Sequence, residues 1–349
     1  MTKLDTKKGT YFIADIAANH DGSLERAKEL IYLAAEAGAN AAKFQNFKAE
    51  TIVSEKGFHE LPDNNSHQKD WKKSVVDVYR DAELPLIWTE QLIATCNEAQ
   101  IDYFTAPYDM EYIDYFSNKM PYFKIGSGDI TWKKAISRIA SKKLPVMLAT
   151  GASNLAEVTE AMNLLQKQNV EIVLMQCNTN YTGNEENFDY INLKVLETFK
   201  RSFPSAHLGL SDHSRGYVAV LGAVALGARF IEKHFTDDNN RIGPDHRFSL
   251  SPEIWREMVD STRILERALG DGVKRIEENE IDARLVQRRG LRYSRELSSG
   301  DQLTEDDLVA LRPCPEDALT PFNEDLVLGR KLIVSVNFDD QVRLTDFEI

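Results

Sequence analysis

The sequence predicts an α/β protein built on a (β/α)8 TIM barrel, followed by a small C-terminal β-rich domain. Three observations carry this. Short apolar runs rich in β-branched or aromatic residues alternate with longer segments of helical period, the pattern of parallel strands joined by crossover helices. Eight such units fit in about 270 residues, the usual size of a barrel of this type. Beyond them the pattern changes to short strands and turns, with no segment that reads as a long helix. The expected domains are therefore residues 1–283 and 284–349. A doubly wound open sheet uses the same alternation and is the structural alternative.

In chain order the strand candidates are YFIADIAA at 11–18, NAAKFQNF at 40–47, DYFTAP at 102–107, YFKIGSG at 122–128, PVMLATG at 145–151, EIVLMQC at 171–177, HLGLSD at 207–212 and RFIEKHF at 229–235. Amphipathic stretches such as LERAKELIYLAAEAG, TWKKAISRIASKK, NLAEVTEAMNLLQKQ and NLKVLETFKRSF lie between them. Ser, Thr or Asn near several of their starts supplies a cap. The one irregular connection, about 48 to 85, follows a strand and is expected to lie over the active face; a plain surface loop is the alternative. After the helix SPEIWREMVDSTRILERALG, the charged stretch DGVKRIEENEIDARLVQ reads as a junction. RGLRYSREL, DLVALRP and KLIVSVN then read as the strands of the small domain.

Composition narrows the function classes. The 349 residues carry a formal charge of -13, which argues against a nucleic-acid or anionic-membrane partner while leaving room for an anionic substrate in a local cluster of cations. No run approaches the roughly 20 apolar residues of a membrane span, and the start MTKLDTKKGT is charged rather than signal-like. A cytoplasmic location is the expectation. Cys96, Cys177 and Cys314 lack metal-type spacing and read as reduced thiols.

In a TIM barrel the chemistry sits at the C-terminal ends of the strands. Those positions hold Asp15, Asn19 and His20; Lys43 and Gln45; Lys124, Ser127 and Asp129; Asn178, Asn180 and Tyr181; Ser211, Asp212 and His213; Glu232, Lys233 and His234; and Asp245 just beyond. His213 and His234, at consecutive strand ends, can converge on one metal ion, because neighbouring strands are only about 5 Å apart. Hydrogen-bonded core histidines are the bland reading. Two strand-end lysines call for an anion such as a phosphate, or for structural ion pairs to Glu232 or Asp129.

These residues also carry a family resemblance. FIADIAANHDGSLERAKELIYLAAEAGANAAKFQNFKAE, YFKIGSGD, GLSDHSRG, GAVALGARFIEKHFT and GPDHRFSLSP resemble, in order, the signature blocks of the sialic acid (N-acetylneuraminate) synthase family. RELSSGDQLTEDDLVALRP is similar to the antifreeze-like (SAF) domain that closes those enzymes. The resemblance implies a barrel plus that domain, and a metal-dependent transferase condensing phosphoenolpyruvate with an amino-sugar aldehyde to give a nonulosonic acid and phosphate. It implies His213 and His234 as ligands of a divalent ion, usually manganese, with magnesium or cobalt as alternatives. Lys43, Lys124, Ser127 and Ser211 then resemble the phosphoenolpyruvate-binding groups. Gln45, Tyr181 and Asp245 resemble sugar contacts, and Arg312 the arginine that a partner subunit's terminal domain brings over the barrel in a swapped homodimer. Asp15 stands where the family usually has a catalytic glutamate, and Asp129 ends KIGSGD where KIGSGE is usual. Thr105-Ala106-Pro107 and Ala149-Thr150-Gly151 replace STP and STG, removing two hydroxyls. An asparagine role after the sixth strand falls to Asn178 or Asn180. Rival readings are a pyruvate aldolase or another sugar synthase on the same barrel, and a non-catalytic sugar- or ice-binding protein.

Overall fold

In the computed structural model, which describes residues 9–61, 71 and 73–348, the eight strand candidates form one parallel sheet. The elements run β1 (Tyr11–Asp15), α1 (Leu24–Glu36), β2 (Ala41–Asn46), α2 (Ala49–Ile52), α3 (Glu55–His59), α4 (Val75–Asp81), α5 (Thr89–Glu98), β3 (Asp102–Pro107), α6 (Met110–Phe116), β4 (Phe123–Ile125), α7 (Lys133–Ser141), β5 (Val146–Ala149), α8 (Leu155–Gln166), β6 (Ile172–Cys177), α9 (Val195–Ser202), β7 (His207–Asp212), α10 (Val218–Ala225), β8 (Phe230–His234) and α11 (Pro252–Leu269). The hydrogen-bonded order is β3-β2-β1-β8-β7-β6-β5-β4. Its two ends, β3 and β4, pack side by side and close the ring. This is a (β/α)8 barrel and not the open doubly wound sheet, because β1 is paired with both β2 and β8.

Strand alternation sorts the side chains into two layers. Register places Asp15 opposite Lys43 on β2 and opposite His234 on β8. It likewise aligns Cys177, Ser211 and Glu232 across β6, β7 and β8. These residues face inward at the C-terminal mouth. The opposite end is filled by rings: Tyr11 packs on Tyr122 and Phe230 at centroid separations of 6.0 and 5.7 Å, and Phe104 meets Tyr122 edge-on at 6.0 Å. Gly209 is needed among them, since a Cβ there would come within 2.9 Å of the Phe230 carbonyl oxygen and of Met175. The outward faces of the strands bury Phe12, Phe44 and Ile231 against the helices, each stabilising the fold by about 1.5–3 kcal/mol.

The helices form where the apolar period and the caps coincide. Asn154 caps α8 by accepting from the backbone of Ala156 and Glu157, while the Glu157 side chain returns to the Asn154 N–H. In the long β2–β3 connection, α2, α3 and α4 are described, and residues 62–70 and 72 lie outside the described residues.

The chain divides into two compact units, Met1–Gly270 and Asp271–Ile349, so the division falls before the expected 283/284. The stretch read as a junction contains a short helix, α12 (Ile281–Gln287), within the second unit. That unit holds an antiparallel pair, β9 (Gly290–Tyr293) and β10 (Leu308–Leu311), around a small core of Leu291, Tyr293, Leu303, Leu332, Val342 and Phe347. KLIVSVN is not a strand. Leu332 and Val336 make isolated bridges, while Ile333 and Val334 between them are 51% and 42% exposed. Two consecutive outward residues break the alternation that a strand needs.

Candidate active site

The inward-facing residues at the C-terminal mouth surround a cavity of about 400 Å³. Its walls include Asp15, Lys43, Gln45, Lys124, Ser127, Asp129, Tyr181, Ser211, His213, Glu232, His234 and Asp245. Eleven of the fourteen expected site residues are thus brought together here, all but Asn178, Asn180 and Arg312, and Glu232 stands among them. The β2–β3 connection contributes Ile52, Trp71, Val78, Tyr79 and Ala82, so its described part does lie over the mouth.

Both lysines are buried and paired. Lys43 Nζ is 2.6 Å from Asp15 Oδ2, which also accepts from Gln45 Nε2 at 3.2 Å. Asp15 Oδ1 accepts from the Ala17 N–H at 3.1 Å. Lys124 Nζ reaches across the barrel to Glu232 Oε1 at 2.9 Å, where Ser211 Oγ also donates at 3.0 Å. The ion pair to Glu232 is thus realised; Asp129 takes no such part, and Asp15 is the partner that sequence reasoning did not name. Burial works against the Lys43 ammonium, but Asp15 and Glu232 outweigh it and keep it charged. Burial likewise lifts Glu232, yet Lys124 and Lys43 hold it down at about 2. Burial raises Asp15 against the pull of Lys43. An ammonium has three donors; one on each lysine is bonded to a carboxylate, leaving others for an anion in the cavity.

His213 and His234 lie side by side, ring centroids 5.3 Å apart. His213 Nδ1 is 2.9 Å from the Asn178 carbonyl oxygen, which fixes the N–H on that nitrogen and leaves Nε2 with its lone pair. His234 Nε2 is 3.5 Å from Asp15 Oδ2, and its Nδ1 is buried with no hydrogen-bond partner. Burial, with His234 as neighbour, pushes His213 down to about 3, and burial with Lys43 does the same to His234. Neutral imidazoles with available lone pairs are what a metal ion requires. No group of three or more His, Cys, Asp or Glu side chains is placed to hold an ion among the described residues. The residues therefore fit an ion that takes two ligands from the protein and the others from water or substrate.

Two carboxyls in the cavity differ from the paired ones. Burial raises Asp129 to about 6 and Asp245 to about 7. Asp245 Oδ2 accepts from the Ala18 N–H at 3.1 Å and lies 3.8 Å from His234 Nδ1. Asp129 has no ion-pair partner among the described residues. Ser127 Oγ accepts from the Gly151 N–H at 2.9 Å, and a Cβ at Gly151 would come within 2.9 Å of that oxygen. Tyr181 packs on His213 with its ring tilted by 59° at a centroid distance of 4.3 Å.

Several strand-end residues face elsewhere. Asn178 and Asn180 do not line the cavity: Asn178 Oδ1 accepts from the Asn180 N–H, and Asn180 Oδ1 accepts from Thr182, so both amides shape the loop after β6. Asp212 and Lys233 point away from the mouth, where Lys233 Nζ meets Asp212 Oδ2 at 2.6 Å and the Ser214 carbonyl at 2.7 Å. Asn19 bonds the Phe235 carbonyl, and His20 is buried edge-on to Trp88, its pKa lowered by burial to about 4. Arg312 is exposed in the second unit and makes no ion pair among the described residues. Sequence reasoning missed Tyr108, just past the end of β3, whose phenol lines the cavity. The inward parity it shares with Ala106 was the available signal.

A family model described as the NeuB family matches residues 30–274. The chain is 33% identical to an N,N'-diacetyllegionaminic acid synthase of Campylobacter jejuni, over 96% of this chain and 99% of that protein. It is 31% identical to a pseudaminic acid synthase of the same species, over 99% of this chain and 98% of that protein. A crystal structure of an N-acetylneuraminic acid synthetase from Leptospira borgpetersenii in complex with citrate superposes with a TM-score of 0.69 at 29% identity, covering 79% of this chain and 90% of that one. The blocks that carried the resemblance line the barrel mouth, the family model spans most of the barrel, and the relatives match from end to end: the chain belongs to the NeuB family.

Proposed function

We propose that the protein condenses phosphoenolpyruvate with an N-acyl amino-sugar aldehyde to give a nonulosonic acid and inorganic phosphate. The observation that carries this reading is the pairing, in one cavity, of two buried ammonium groups having spare donors with two neutral imidazoles beside them. Lys43 and Lys124, with Ser127 and Ser211, bind the carboxylate and phosphate of phosphoenolpyruvate. Gln45, Tyr181, Asp129 and Asp245 orient the sugar. A divalent ion, manganese first and magnesium or cobalt as alternatives, would be held by His213 and His234, and when bound it supplies Lewis-acid polarisation of the aldehyde.

The methylene carbon of phosphoenolpyruvate forms the new bond to the aldehyde carbon, whose oxygen becomes a hydroxyl. Water adds to the phosphate-bearing carbon, and the bond from that carbon to the phosphate oxygen breaks to leave a ketone. Asp15, fixed by Lys43, Gln45 and the Ala17 N–H, steers that water and takes its proton. Before that transfer Asp15 and Glu232 keep the Lys43 ammonium charged, while Lys124 is held by its bond to Glu232.

The acceptor is a di-N-acylated 6-deoxy sugar of the legionaminic or pseudaminic type rather than plain N-acetylmannosamine. The relatives' names support this, as does the shorter carboxylate at Asp129, which is open to the cavity. In the same reading the second unit is an antifreeze-like (SAF) domain that carries Arg312 to the barrel of a partner subunit in a homodimer. The deciding assay supplies phosphoenolpyruvate with each class of aldehyde and measures phosphate. One equivalent released per sugar consumed is expected. Release of none, with pyruvate consumed instead, would identify an aldolase.

A further inference from the structure

β3 brings two residues to the cavity wall on the side shared with β2 and β4. Register sets Ala106 opposite Gln45, so Ala106 faces inward, and it offers no hydrogen-bonding side chain. Tyr108, two residues on, shares that face. Its backbone N–H donates to the Asn46 carbonyl at 2.9 Å, which extends the pairing with β2 past the end of the strand. The ring is seated between Phe47, edge-on at 6.3 Å, and the backbone of Gly126. A Cβ at Gly126 would lie 2.8 Å from Tyr108 Oη and 3.2 Å from Cε1. The absent side chain at 126 is therefore what admits the phenol between β3 and the Lys124–Asp129 segment.

The hydroxyl ends in the cavity beside that segment. The charged and polar groups that act on it are Asp129, Tyr181, Asp15 and Glu232, and after burial these push its ionisation well above the usual phenol range. It therefore remains a donor and does not serve as a base. A partly buried hydroxyl facing the cavity is stabilised by an acceptor, and Lys43 and Lys124, which line the same cavity, draw anions into it.

We infer that Tyr108 is a substrate-binding residue whose phenolic O–H donates to an anionic oxygen of phosphoenolpyruvate, supplying from the loop a donor that Ala106 does not supply from the strand. This rests on phosphoenolpyruvate being the anion held by Lys43 and Lys124. The hydroxyl contributes to binding of that anion and not to the acceptor sugar.

Isothermal titration calorimetry with phosphoenolpyruvate alone tests this on the full-length protein, comparing native with Tyr108→Phe. That substitution keeps the ring over Gly126 and removes only the donor. A hydrogen bond to a charged group corresponds to a loss of about tenfold to a hundredfold in affinity, with the KM for the acceptor aldehyde within about twofold of native. Gly126→Ala, which displaces the phenol, should weaken phosphoenolpyruvate binding in the native background and add little in the Tyr108→Phe background, since no hydroxyl is left to misplace. Equal affinities in native and Tyr108→Phe, or a loss shared equally with the acceptor, would overturn the assignment. Native protein that binds phosphoenolpyruvate but turns over no amino-sugar aldehyde would defeat the proposed reaction while leaving the Tyr108 result to stand by itself. Native protein that does not bind phosphoenolpyruvate would defeat both.

Discussion

Asp129→Asn removes one carboxyl from the cavity wall while keeping its shape, and the pH dependence of its effect on stability follows from the structure. Asp129 is partly buried with no ion pair among the described residues, and burial raises it from 3.8 to about 6. A carboxyl raised in the folded state binds more protons there than in the unfolded chain. Its contribution to stability is full below the unfolded value and is lost as pH rises through the folded one. The whole shift corresponds to about 3 kcal/mol, of which about 2 kcal/mol develops between about pH 4.5 and about pH 7.5. The asparagine has no such loss. The variant should therefore gain on the native protein by about 2 kcal/mol over that interval, less whatever water in the cavity screens. Urea unfolding of both proteins at each pH measures the difference, with unrelated groups cancelling. A difference that is constant with pH, or that turns against the variant as pH rises, would refute the reasoning.

Chelator-treated protein should release no phosphate and recover with manganese, and the electron paramagnetic resonance signal of bound manganese should be lost in His213→Ala and His234→Ala; full activity without metal would end the assignment. Lys233→Ala leaves Asp212 buried and unpaired, so it should cost about 3–5 kcal/mol in unfolding free energy; a loss below about 1 kcal/mol would show that the pair is not needed. Co-expressed His234→Ala and Arg312→Ala chains, isolated as mixed dimers with two tags, should regain up to about half the native activity if Arg312 acts across the interface. Mixed dimers no more active than either homodimer would mean that it does not.

Period and composition were enough to locate all eight barrel strands, because each is a short buried run between polar turns. They overran β4, expected at 122–128 and found at Phe123–Ile125, because Ser127–Asp129 turns into a single 3-10 turn that aims its polar groups over the mouth. The strand-end rule selected Asp15, Lys43, Lys124, His213 and His234 correctly as neighbours, since side-chain alternation fixes which residues face inward. It did not separate Asp212 and Lys233, whose opposite parity sends them outward, until register was known. Asn178 and Asn180 looked like ligand contacts, but side chains of that kind bond equally well to their own loop, and sequence does not distinguish the two uses. Tyr108 escaped because its place depends on Gly126, a residue distant in the chain that matters through the side chain it lacks.

The link from Lys124 to Glu232 spans 108 residues, and this bears on how the chain is made. Asp15 and Lys43 can meet once the first two strands have emerged from the ribosome. Lys124 emerges with the fourth strand and waits for the eighth before its counter-charge exists. A half-finished barrel that collapsed early would enclose an unpaired ammonium, at a cost of several kcal/mol. Synthesis of β8, the strand that carries His234, therefore also supplies Glu232 and completes the charge balance of the mouth.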